Sequence, residues 1–232
     1  MRAWLFITVA VATLCGSLPL PIPQKPADAG GLDAVLKKMD AAAAGFHSTQ
    51  ADFEWDQYQK VVDETDVQKG TIYFRRSGQQ IEMMAHVKDP DQKYVLYKDG
   101  KLQVYQPKIE QLIVHDVGNN RGEIESYLVL GFGGSGQDLT RQFDVTYGGA
   151  ETVDGIATGK LLLVPKSEKV KNTFAQIILW IDLERGISVQ QKFFTPQQDY
   201  RLAKYSNIRM NEKIGNDVFQ LKTTGKTQTI TH

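Results

Sequence analysis

The stretch Tyr94-Val95-Leu96-Tyr97-Lys98-Asp99-Gly100-Lys101-Leu102-Gln103-Val104-Tyr105 decides the fold. Two short runs rich in Tyr, Val and Leu flank Asp99-Gly100, a dipeptide that tolerates the positive φ of a type I′ turn, so the pattern predicts a β-hairpin. Downstream, Pro107 breaks the pattern and residues 109–115 resume it. Further strands are expected at 143–147, 158–164, 175–182, 187–194, 200–209 and 217–221, with joints at Asp154-Gly155, Arg185-Gly186, Pro196-Gln197 and Gly215-Asn216. Upstream, Ala51, Phe53 and Trp55 alternate with Asp52, Glu54 and Asp56, and Ser77-Gly78 joins the runs 71–76 and 81–86. Some eleven or twelve short strands with turn-length joints predict an antiparallel meander, barrel or sandwich. No strand–helix–strand alternation points to a doubly wound fold.

Helices are few. Leu32, Val35, Leu36, Met39, Ala43 and Phe46 recur at helical spacing and predict one amphipathic helix ending near Gly45. The interval 121–133 reads as one or two short helices lying on the sheet, with a second helical turn over 138–142. The end, 222–232, is Thr-rich and polar and is expected to fray.

The chain has 232 residues, with 27 Lys+Arg against 27 Asp+Glu, 41% hydrophobic residues and one cysteine. That length can bury a sizeable core, and the composition is neither disordered nor multi-span. Balanced charge argues against a nucleic-acid partner. A single cysteine excludes an intramolecular disulfide framework and a Cys-rich zinc site. Residues 1–29 read as a signal peptide: Arg2, an apolar run from Ala3 to Cys15, a Pro-rich stretch, and Ala27-Asp28-Ala29 as a small-x-small cleavage pattern. A cut there removes Arg2, Lys25 and Asp28 and leaves 203 residues without cysteine. Earlier cleavage near Gly16, lipid attachment at Cys15 and an uncleaved anchor are the alternatives. The domain is then 30–222, with a polar tail over 223–232.

The chemical motifs are weak. Gly131-x-Gly133-x-x-Gly136 matches the dinucleotide fingerprint literally, but that fingerprint works between a parallel strand and a helix, so a loop or hinge is the expected role. Ser135 lacks the second glycine of a nucleophile elbow, since Gln137 follows. His47, His86, His115 and His232 form no metal-binding pair by spacing. Arg75-Arg76 reads as a solvent-facing pair beside a turn. No catalytic residue, metal or cofactor is expected.

Several strands are apolar on both phases: Tyr73 and Phe74, Met83 and Met84, Ile177 to Ile181, Phe193 and Phe194. A half-solvated sheet should alternate. Each face is therefore covered, one by the N-terminal helix and the other by a second layer or by a greasy ligand.

Local phrases carry a family resemblance. The stretch 70–76 (GTIYFRR), the stretch 97–111 (YKDGKLQVYQPKIEQ), the stretch 161–166 (LLLVPK) and Val218-Phe219 come in the order found in periplasmic outer-membrane lipoprotein carriers, and the chain resembles that LolA type over 31–222. The resemblance implies a mainly β, incomplete antiparallel barrel of about 11 strands with an N-terminal helix and short lid helices. It implies a periplasmic monomer, not an enzyme, that shields lipoprotein acyl chains or a related lipid in an apolar cavity. An inner-membrane ABC transporter and an outer-membrane acceptor are the implied partners. The family's barrel-to-lid arginine falls on Arg76, with Ser77 where the family has proline. Trp55, Phe74, Met83, Leu128, Leu130, Phe132 and Trp180 are the other candidates for the cavity or lid. A lipid- or lipoprotein-sensing module of the same fold and an exported hydrolase are the competing readings.

Overall fold

The computed structural model describes residues 29–78, 80–118 and 121–232. The expected signal segment, including Cys15, lies outside them apart from Ala29. The described residues open with α1 (Ala29–Ala44) and continue through β1 (Ser48–Gln59), β2 (Glu64–Ser77), β3 (Gln80–Asp89), β4 (Lys93–Lys98), β5 (Lys101–Gln106) and β6 (Gln111–Asp116). Two helices, α2 (Arg121–Leu128) and α3 (Gly136–Gln142), interrupt the strands. Then come β7 (Phe143–Val153), β8 (Ile156–Pro165), a short α4 (Glu168–Lys171), β9 (Gln176–Asp182), β10 (Ser188–Phe194), β11 (Tyr200–Met210) and β12 (Gln228–Thr231). Among the described residues no helix is long and apolar enough to cross a membrane.

The hairpin turns follow from local chemistry. Asp99 and Gly100 take φ of 52° and 72°, and Asp154 and Gly155 take 47° and 80°, the left-handed pair that a type I′ turn needs. All strands of the described residues join one twelve-stranded sheet in the order β12-β6-β5-β4-β3-β2-β1-β11-β10-β9-β8-β7. The sheet does not close: β12 and β7 are its two edges. Every pairing is antiparallel except β12 on β6. This is the mainly β, open antiparallel architecture expected, with twelve strands rather than about eleven. Its two meanders are joined at the centre by β1 and β11, which are about 150 residues apart in sequence, as the pair Glu54 and Lys204 shows.

Three expectations need correction. Residues 217–221 are not a strand: Asn216–Phe219 is a 3₁₀ turn, its Val218 N–H bonded to Gly215 O. The C-terminal end does not fray, because Gln228–Thr231 adds to β6 and His232 N–H donates to Val114 O at 2.9 Å. Arg75 is not a solvent-facing residue: it pairs with Glu82, donates to Asn216 Oδ1 at 2.7 Å and stacks over Phe219.

The double apolar phase is explained by two coverings. Outward, Met84 and Leu96 bury Phe219 of the 3₁₀ turn, with Tyr73 and Val218 beside it. Inward, α1 seats Val35 and Met39 on Leu161, Leu163, Ile177, Leu179 and Ile181 of β8 and β9. These five strand residues are fully buried. A second inward cluster gathers Phe53, Ile72, Phe74, Met83 and Ala85 around Phe132.

Candidate functional site

The inner face of the sheet is built by register. Phe74 on β2 lies opposite Met83 on β3, and Met83 lies opposite Tyr97 on β4, so one strand phase carries all three inward. Above them, the segment after α2 crosses the sheet. Phe132 stacks on Phe74 at 5.3 Å and meets Tyr205 edge-on at 4.7 Å. The segment is pinned to β10: Ser188 N–H donates to Gly131 O at 2.6 Å, and the Gln191 amide donates to Leu130 O at 2.7 Å. Gly131 holds φ at 81°, and a Cβ there would lie 2.5 Å from Ser188 Cβ. A Cβ on Gly133 would lie 2.6 Å from the Phe46 ring. The glycines of the fingerprint-like stretch thus let backbone pack against side chains, in a sheet that has no strand–helix–strand unit to hold a dinucleotide.

Between α1, this segment and α3 lies a cavity of about 490 Å³. Met39, Ile81, Val129, Leu130, Leu139 and Phe143 give it an apolar lining. Arg76, Glu125, Ser135 and Asp138 also line it, so it is amphipathic rather than wholly greasy. The size falls within the roughly 300–1,000 Å³ of small-molecule sites. Ser135 caps α3 by accepting from Asp138 N–H at 3.0 Å, which fixes the polar wall. Arg76 ends β2 beside the lid: its N–H donates to His47 O at 2.9 Å and its guanidinium lies 5.7 Å from the Phe46 ring centroid. It therefore touches both the barrel and the segment that follows α1.

One polar network ties α2 to the sheet. Tyr97, fully buried, donates to Glu125 Oε1 at 3.1 Å, and Arg121 pairs with the same carboxylate oxygen at 2.8 Å. Burial, and then the Glu125 hydrogen bond, push the Tyr97 phenol up to about 12. Among the described residues no group of three or more His, Cys, Asp or Glu is placed to hold a metal. His115 and His232 stack at 5.0 Å on the β6–β12 edge.

The sequence-selected residues divide into groups. Phe74, Met83, Phe132 and the half-buried Leu128 and Trp55 belong to one inward cluster. Leu130 belongs to the other cluster and, with Arg76, lines the cavity. Trp180 stands apart: it shares the outward phase with Lys160, which lies over its ring at 5.2 Å, and its indole N–H donates to Glu151. That bond is the main cause holding the Glu151 carboxyl below its ordinary value. The phase could have been read from Ile177, Leu179 and Ile181, which claim the buried side of a period-two strand. Met39, Leu139 and Phe143 were legible as core but not as cavity wall.

No protein-family model and no curated protein sequence matches the chain. Solved structures do share its fold. MucB superposes with a TM-score of 0.53 and 13% identity over 84% of this chain and 64% of its own. MucB in the Pseudomonas aeruginosa MucA/MucB complex gives 0.53 and 14% over 88% and 64%. The chain thus spans less than two thirds of the MucB chain. An uncharacterized conserved protein from Thermus thermophilus gives 0.53 and 11% over 88% of this chain and 98% of its own. In fold the chain is similar to these proteins, and its open, helix-covered sheet is the architecture expected from the LolA-type resemblance.

Proposed function

We propose that this chain is an exported, non-catalytic lipid-binding protein that shields the acyl chains of a lipoprotein or a related lipid during passage between the inner and outer membranes. The observation that carries the reading is the amphipathic cavity of about 490 Å³ between the concave sheet and its covering segments α1 and α3, with Met39, Leu130, Leu139 and Phe143 in its wall. Burying one methylene contributes about 0.8 kcal/mol, so a long chain supplies on the order of 10 kcal/mol without any covalent step. The polar wall of Arg76, Glu125 and Asp138 suits the junction between an acyl chain and its neutral, hydrogen-bonding linkage. In this reading the periplasm is the site of action, and a membrane transporter and an outer-membrane acceptor are the donor and recipient.

A cavity-filling variant tests the reading. Gly134 lines the cavity, and a Cβ there would meet Val129 O at 3.4 Å, an ordinary contact, so Gly134→Leu is expected to fill cavity space with little backbone strain. The expected result is unchanged melting and about tenfold weaker binding of a dansyl-labelled fatty acid, equivalent to about 1.4 kcal/mol. Unchanged affinity would remove the cavity from the account.

A second reading is favoured by the fold likeness to MucB, a protein also solved in complex with MucA. The same cavity would then sense lipid, and occupancy would alter affinity for a protein partner. Transfer of a bound fatty acid to acceptor vesicles supports the carrier; retention of the lipid together with a lipid-dependent protein partner supports the sensor.

A further inference from the structure

Trp55 stands where the covered part of the concave face gives way to its open part, and two cations flank it on the inward strand phase. Arg201 on β11 lies opposite Gln57 on β1 and Phe193 on β10. Its guanidinium carbon is 5.4 Å from the Trp55 ring centroid and 5.0 Å from that of Phe193. On the other side of β1, Gln68 on β2 lies opposite Trp55 and accepts from Lys93 Nζ at 3.1 Å. Lys93 lies opposite Val87 on β3, whose inward side chain is buried in the core.

Neither cation makes an ion pair among the described residues. Along β1, β4, β5, β10 and β11 the inward phase carries no Asp or Glu. Asp66 and Glu64 on β2, opposite Gln57 and Gln59, share the phase, but both are exposed and pair with neither cation. The indole nitrogen of Trp55 is buried against the Tyr205 phenol and makes no hydrogen bond of good geometry. Arg201 is exposed and Lys93 half-buried, and desolvation pulls the pKa of both down. Aromatic faces offset part of that cost, and a bound anion would offset much more of it.

We propose that this end of the concave face is a head-group site for an anionic lipid. Arg201 and Lys93 hold the carboxylate or phosphate beside the Trp55 ring, and the chain lies on the half-buried inward side chains of Val95 and Val104. The inference rests on the reading that this protein binds acyl lipid, and it places the chain of an anionic lipid on the open half of the concave face, apart from the cavity beneath α1 and α3. The diacylglyceryl group of a lipoprotein carries no charge, so an anionic head selects a fatty acid or a phospholipid from the lipids that reading allows.

The test is calorimetric titration of the export-processed protein at pH 8 with laurate, dodecanol, acetate and inorganic phosphate. Laurate is expected to bind roughly tenfold more tightly than dodecanol, the scale of a charge-assisted hydrogen bond. The double variant Arg201→Gln, Lys93→Gln is expected to bring the two within about twofold, with circular dichroism melts confirming the fold, and each single variant to fall between. A laurate preference that survives the double variant overturns the assignment. Equal binding of laurate and dodecanol by the unmodified protein overturns the head-group site and leaves the acyl reading standing. Binding of neither overturns both. Acetate or phosphate binding as tightly as laurate shows a free-anion site and overturns the lipid.

Discussion

The two halves of the concave face carry the same inward alternation and end in opposite states. On β8 and β9, Leu161, Leu163, Ile177, Leu179 and Ile181 are fully buried beneath α1 and the residues around α3. On β4 to β6, Val95, Val104 and Ile113 lie opposite one another in successive strands and stay half-buried, with Trp55 half-buried nearby on β1. The strands do not differ in pattern. They differ in whether the chain supplies a helix to cover them. An apolar inward residue is core where a covering element exists and is available surface where none does, and the boundary between the two lies along α2 and the segment 129–136.

The sharpest way to break that comparison is to truncate one residue in each half. Leu179→Ala is expected to cost about 2–5 kcal/mol, because α1 cannot follow the side chain into the space it leaves. Val104→Ala is expected to cost no more than about 1 kcal/mol, since its site is already partly solvated. Paired urea melts read both, and equal losses would mean that the open half is as tightly packed as the covered one. The boundary comes next. Gly133→Ala forces a methyl against the Phe46 ring and is expected to destabilise by about 1–3 kcal/mol, visible in the same melts.

Protonation sharpens the comparison further. Tyr97 joins the sheet to α2, and its phenol is raised from 10.0 to about 12. The stability it contributes is complete below pH 10 and is lost as pH rises from 10 toward 12. Thermal melts should show that decline, and Tyr97→Phe should flatten it. The smallest expected effect is on the outer face of the open half. Lys204 and Lys69 hold the Glu54 carboxyl near 2 rather than 4.5. Its contribution is complete above about pH 4.5 and is lost as pH falls toward 2. Glu54→Gln should remove that part of the acid slope, and added salt should shrink it, because the pair is solvent-facing. An unchanged acid slope at low salt would show that the outer ion pairs contribute nothing.

Local chemistry was legible in the sequence and long-range pairing was not. Asp99-Gly100 and Asp154-Gly155 marked their hairpins because positive φ is a property of the residues themselves. The junction of β1 with β11 depends on pairing segments far apart in the chain, and no local signal encodes it. The covering of Met84 and Leu96 by Phe219 was hidden for a related reason: residues 217–221 read as a strand by composition, whereas tertiary contact with the outer face holds them as a 3₁₀ turn. Of the selected residues, Leu130 and Arg76 line the cavity, while Trp180 faces outward because its neighbours of the other phase occupy the core. Arg201 carries no local signal, because a lone arginine on an alternating strand reads as solvated. Only the register places it between Trp55 and Phe193.

The central claim is that the concave face holds lipid. It is tested most directly by extracting the protein, purified without detergent, with organic solvent and identifying by mass spectrometry what it carries. The account predicts an acyl lipid in the extract at close to one mole per mole of protein, depleted in Gly134→Leu. An extract without acyl lipid, from protein that also fails to take up a dansyl-labelled fatty acid, would contradict it.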